Sequence, residues 1–135
     1  MEVTRRTDYA IRLLLELARN GGGPLSVREL AERQGVPYAF ARGIQRELVH
    51  ADLVVSRRGA QGGIALARPA AEITLFDIAT ATQGDVSCSV CSRDPKWCDR
   101  MSGCEVHEVW REVDSIVGEY LATKSLAGLL EKEGR

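Results

Sequence analysis

Two short helices joined by a glycine turn, a basic glycine-rich hairpin directly behind them, and a cysteine-dense segment ahead of a long amphipathic helix predict a mostly α protein with a small β-hairpin wing. The expected architecture is a winged helix-turn-helix domain over residues 1–83, a cysteine-rich loop over 84–104 and a long dimerisation helix with its tail over 105–135. A chain of 135 residues buries one moderate core, so these are a compact body and an appendage rather than independent domains.

The first helix starts at Thr4, an N-cap residue, and carries Tyr9, Ala10, Leu13, Leu14 and Leu17 as one apolar stripe. Gly21-Gly22-Gly23-Pro24 ends it. Ser26 and Glu29 then form a capping-box pattern, with Leu25 and Leu30 at the staple positions, and predict a short helix from Val27 to about Gln34. Gly35-Val36-Pro37 breaks that helix, and Pro37 fits the first turn of the next, which runs to about His50. Phe40, Ile44 and Leu48 are expected to face inward, leaving Tyr38, Arg42, Gln45, Arg46 and Val49 outward. Leu53–Arg57 and Ile64–Ala67 read as strands, joined by Arg58-Gly59-Ala60-Gln61-Gly62-Gly63. Thr74 and Asp77 start a connector helix from Leu75 to about Thr82. The last helix bears Val106, Val109-Trp110, Val113, Ile116-Val117 and Tyr120-Leu121, a stripe that needs a partner; a second copy of the chain is the expected one.

Charge divides along the chain. Residues 1–68 carry eleven basic against seven acidic side chains, and residues 69–135 seven against twelve. A basic helix-turn-helix half suits double-stranded DNA. Arg5, Arg6, Arg28, Arg57 and Arg58 are candidates for phosphate or minor-groove contact, Tyr38, Arg42, Gln45 and Arg46 for the major groove, and Gly59, Gly62 and Gly63 for close backbone approach. Gly43 inside the second helix of the motif costs about 1 kcal/mol relative to alanine. No apolar run reaches membrane-spanning length, and the first residues lack a signal-peptide pattern, so a cytoplasmic protein is expected.

The cysteines lie as Cys88-x2-Cys91-x6-Cys98-x5-Cys104-x2-His107. Disulfides are disfavoured in a reducing compartment, which leaves metal or redox chemistry. Four thiolates, or three with an imidazole, satisfy either zinc or an iron-sulfur cluster. No nucleophile–base pattern or nucleotide-binding glycine loop supports an enzyme, and a thiol enzyme or cluster carrier is the remote alternative.

Thr7-Asp8-Tyr9-Ala10-Ile11-Arg12, the segment Ser26 to Gln34 with Gly35-Val36, the wing Arg58-Gly59-x-x-Gly62-Gly63, three spaced cysteines and His107-x-x-Trp110-Arg111 together carry a likeness. Over nearly its whole length the chain resembles the Rrf-two (Rrf2) family of winged-helix iron-sulfur transcription regulators, the IscR, NsrR and RirA kind. The resemblance implies a homodimeric repressor or activator whose DNA affinity is controlled by a 2Fe-2S or 4Fe-4S cluster responding to redox, nitric oxide or iron status. It implies Cys91, Cys98 and Cys104 as thiolate ligands, with six residues in the first gap where the family often has five. The fourth ligand stays open. His107 stands where IscR-like members use a histidine for a 2Fe-2S cluster, Asp8 where NsrR-like members supply a carboxylate from the partner subunit to a 4Fe-4S cluster, and Cys88 is an additional thiol. Asp52 stands where members often have glycine. A winged-helix repressor stabilised by zinc, without redox sensing, is the alternative.

Overall fold

A computed structural model describes residues 1–134. Helix α1 (Arg5–Arg19) begins at Thr4, whose side chain accepts the Thr7 N–H, and buries Thr7, Ala10, Leu13, Leu14 and Leu17. Helix α2 (Val27–Gln34) begins at Ser26 and ends at Gly35, which takes the left-handed conformation at φ 62°. The predicted capping box at α2 is half formed. Ser26 accepts the Glu29 N–H at 3.0 Å, but the Glu29 carboxylate turns to Arg33 at 2.7 Å instead of back to Ser26. The complete box is at Thr74 and Asp77, where both reciprocal bonds are present.

Helix α3 (Tyr38–His50) packs on α1 and α2 through Ala41, Ile44 and Leu48. Pro37 is its N-cap rather than its first helical residue. Phe40 is 46% exposed, contrary to the inward placement expected from its spacing. Each four-residue step rotates a helical position by about 40°, so Phe40 lies beyond the edge of the stripe that Ala41 completes. Its ring meets Tyr9 edge-on at 5.9 Å. Gly43 has a role in this packing: the Arg6 guanidinium lies where a side chain at Gly43 would begin, and Arg6 Nε donates to Glu47 at 2.7 Å. The turn after α3 needs a left-handed residue at Asp52, φ 58°, a conformation that aspartate tolerates better than most non-glycine residues.

Strands β1 (Val54–Arg57) and β2 (Gly63–Leu66) pair antiparallel, with Val54 opposite Leu66 and Arg57 opposite Gly63. A third backbone segment joins them. Leu25 and Ile64 exchange hydrogen bonds at 3.0 and 2.8 Å, fastening the hairpin to the α1–α2 turn. Helix α4 (Leu75–Gln83) closes this body, and Ile73 and Ile78 fill its core.

Beyond Gly84 a four-residue helix, α5 (Val90–Arg93), interrupts the cysteine loop. The long helix α6 (Glu105–Ala122) crosses α4 where Gly118 meets the Phe76 ring; a Cβ there would lie 3.3 Å from it. Val113, Val117 and Leu121 are half-buried, but Val106, Val109, Trp110, Ile116 and Tyr120 remain 40–65% exposed, so most of the predicted stripe is left uncovered by the described residues. The chain then turns back. Helix α7 (Leu126–Glu133), capped by Ser125, lies on α1 and buries Leu126. Arg19 joins it through two bonds to Glu133, and also bonds Glu16. Glu16 in turn accepts from Arg33 and Gln34, so one network ties α1, α2 and α7.

Candidate nucleic-acid interface and thiol site

The helix-turn-helix puts a polar, basic face on the outside of α2 and α3. Arg28, in the first turn of α2, stacks its guanidinium on the Tyr38 ring at 4.1 Å, and Arg42 Nη1 donates to Tyr38 Oη at 3.4 Å. Gln45 Nε2 donates to Ser56 Oγ at 3.2 Å, linking α3 to the wing. Arg46, Arg57, Arg58 and Gly59 are exposed. Arg5 is exposed as well, but Arg6, expected on phosphate, is held by Glu47. Gly62 and Gly63 face protein: a Cβ on Gly62 would strike the backbone of Arg57 and Arg58, and one on Gly63 the backbone of Leu25 and Ser26. Only Gly59 of the three wing glycines has open space around it.

The thiols lie in loop 84–104, which ends at the α6 N-cap, Cys104. All four are free and partly buried. Cys104 caps α6, its sulfur accepting the His107 N–H at 3.4 Å. His107 Nδ1 lies 3.3 Å from Cys91 Sγ, which also contacts Ser89 Oγ at 3.2 Å. His107 thus touches two of the thiols at the start of α6, Cys91 through its ring and Cys104 through its backbone amide. Cys98 stands apart, its sulfur accepting the Arg100 N–H at 3.4 Å. Asp8 is on α1, paired with Arg12 at 3.3 Å. No three such donors converge on one point among the described residues.

Cys88 is fixed one turn and more along α6 from the others. Its N–H donates to Asp114 Oδ1 at 2.6 Å and its thiol lies 3.7 Å from the Trp110 carbonyl. The Asp114 carboxylate raises the Cys88 thiol above its ordinary range, by hydrogen bonding first, with burial and charge acting in the same direction. Burial pushes Asp114 up, but the Cys88 amide, the Cys88 thiol and Ser92 outweigh it and keep that carboxyl below its usual range. Sequence reasoning missed Asp114, since one acid on the polar side of a helix gives no signal of its own. Asp114→Asn is therefore expected to shift the pH profile of Cys88 alkylation in the reduced protein to lower pH, because the thiolate no longer forms beside a negative charge; peptide mapping of iodoacetamide labelling reads it. An unchanged profile would show that the carboxylate does not control this thiol.

A further anchor joins the start of this loop to α1. Gln83 Oε1 accepts from the Thr4 N–H at 3.2 Å and the Thr7 hydroxyl at 2.7 Å, while its Nε2 donates to the Glu2 carbonyl at 2.9 Å.

Comparison with known proteins decides what this arrangement belongs to. A family model described as "Rrf2: Iron-dependent Transcriptional regulator" matches residues 3–132. The chain belongs to the Rrf2 family. Among its Rrf2 relatives, Protein rrf2 of Nitratidesulfovibrio vulgaris is 31% identical over 131 residues, covering 96% of this chain and 87% of that protein. The HTH-type transcriptional regulator IscR of Sodalis glossinidius is 30% identical over 134 residues, 98% of this chain and 81% of its own length. The solved structure of T. potens IscR superposes with a TM-score of 0.77 at 29% identity, over 98% and 88% of the two chains. CymR, titled the global cysteine regulator of B. subtilis, does so with 0.78 at 25% identity over 98% of each. This Rrf2 chain is a winged-helix, DNA-binding transcription regulator. None of its described helices is long and apolar enough to cross a membrane.

Proposed function

We propose that this regulator is a cytoplasmic homodimer whose affinity for a double-stranded DNA operator is set by an iron-sulfur cluster on Cys91, Cys98 and Cys104. The observation that carries the reading is the His107 ring beside the Cys91 thiol at the α6 N-terminus, which Cys104 caps, with all four thiols free. That donor set fits the group chemically: soft thiolates with an imidazole, and backbone N–H groups already aimed at Cys98 and Cys104. Of the candidates for the fourth ligand, His107 lies beside a thiol, whereas Asp8 is paired with Arg12 and Cys88 is held by Asp114; this supports His107. When bound, the cluster supplies a group whose charge and ligation change with redox state, nitric oxide or iron supply.

The chain's own residues supply the coupling. Loop 84–104 is tied at one end to α1 by Gln83, and along its course to α6 by Cys88 and Asp114. Bringing Cys98 to Cys91 and Cys104 moves the loop between those anchors. On α1 the same turn that holds Gln83 carries Arg6, which holds α3 through Glu47. The exposed α6 face, Val106, Val109, Trp110, Ile116 and Tyr120, is suited to the same face of a second copy, and a two-fold sets the spacing of the two α3 helices on DNA. Loop order then selects one of two spacings, a population shift between dimer geometries.

Protein purified without oxygen is expected to be brown, with matching iron and acid-labile sulfide, and Cys98→Ala is expected to lose both the colour and the iron while keeping a folded helical spectrum. Equal DNA affinity with and without the cluster overturns the coupling. A colourless protein with stoichiometric zinc overturns the cluster itself and leaves a repressor with a structural metal.

A further inference from the structure

The Arg28–Tyr38–Arg42 group is more specific than a basic patch. One phenol ring, 38% exposed, holds two guanidiniums from two helices: Arg28 of α2 over its face and Arg42 of α3 at its hydroxyl. Neither arginine has a carboxylate partner among the described ion pairs, whereas Arg6, Arg12, Arg19, Arg33, Arg68 and Arg111 all do. The two cations are thus kept close, oriented and free of internal neutralisation, an arrangement that costs the folded chain repulsion and that an anionic partner relieves.

We infer that Tyr38 is a positioning residue that orients Arg42 to read a guanine edge while it braces Arg28 for the phosphate backbone. This deepens the DNA-binding assignment and rests on it. The division follows from placement. Arg42 is one turn into α3, the helix that enters the major groove, and a guanidinium is the side chain whose fork matches guanine O6 and N7. Arg28 is in the first turn of α2, which lies across the backbone, where charge and not sequence is read. Stacking limits the rotamers of Arg28, and the hydroxyl limits those of Arg42, so each cation loses less freedom when DNA arrives.

The two halves separate by experiment. The probe is the tightest duplex that the wild-type dimer selects from a randomised pool, together with single G·C to A·T replacements of it. Tyr38→Phe keeps the stack and removes the hydroxyl; it is expected to lower discrimination at one guanine by about fivefold or more while leaving the salt slope unchanged. Arg28→Gln is expected to reduce the salt slope by about one per protomer with discrimination kept. Tyr38→Leu should show both losses, and Arg28→Lys, which keeps the charge without the planar stack, should keep the slope and weaken binding. Both positions are on the surface, so circular dichroism identical to wild type confirms folding of each of the four variants. Tyr38→Phe with wild-type discrimination at every guanine overturns the inference, whereas failure of the wild type to select any duplex overturns the DNA reading on which it rests.

Discussion

Leu126→Ala is expected to destabilise the whole fold by about 2–5 kcal/mol, the usual cost of emptying a fully buried leucine site. Leu126 has no exposed surface and belongs to the core cluster that also holds Leu14, Leu17 and Ile73. Its backbone is engaged as well, its N–H donating to the Ile73 carbonyl at 2.9 Å, while Leu75 N–H donates to Lys124 at 2.9 Å. Urea unfolding is the measurement, and a midpoint that drops with an unchanged slope is the expected form. The loss should not depend on protein concentration, because the site lies within one chain. A loss that vanished at high concentration would place α7 in the dimer interface instead.

That helix also marks where sequence reading stopped. The apolar stripe of α6, the caps at Thr4 and Thr74, the left-handed turn at Gly35 and the hairpin were all legible, because each depends on residues within a few positions of one another. The return of α7 onto α1 depends on contacts across more than a hundred residues, such as Arg19 with Glu133, and no local pattern announces them. Phe40 shows the same limit at short range. Its spacing from Ile44 and Leu48 fits a stripe, but the edge buried by neighbouring helices is the one that Ala41 completes, and Phe40 is left exposed against the Tyr9 ring. At the thiol site, residue types and spacing point to soft-metal chemistry, and the resemblance supplied the choice of ligands. The pairing of Cys88 with Asp114, and of His107 with Cys91, needed the path of loop 84–104, which has little periodicity to read. On the basic face the sequence marked these cations as one set and could not separate Arg6, paired with Glu47, from Arg28 and Arg42, which have no carboxylate partner among the described ion pairs.

Gly63→Ala is expected to loosen the wing at its root. Gly63 has φ 141°, a region that side chains with a Cβ rarely adopt, and the added methyl would overlap the Leu25 carbonyl. The backbone strain alone is of the order of 1–3 kcal/mol, and relief by moving β2 breaks the two Leu25–Ile64 hydrogen bonds, about 1 kcal/mol each. The hairpin has only two strands, so this bridge is a large part of what holds it to the body. Faster hydrogen exchange at the Ile64 and Leu66 amides is the direct sign, accompanied by weaker DNA binding as Arg57 and Arg58 lose their fixed position. Gly59→Ala is the control at the tip, where φ is 105° but the surroundings are open, so the turn can readjust without breaking the bridge. If both substitutions had the same small effect on exchange at Ile64, the wing would be held by its own pairing and not by the α1–α2 turn, and the route by which α1 steadies the DNA-facing surface would reduce to Arg6 and Glu47.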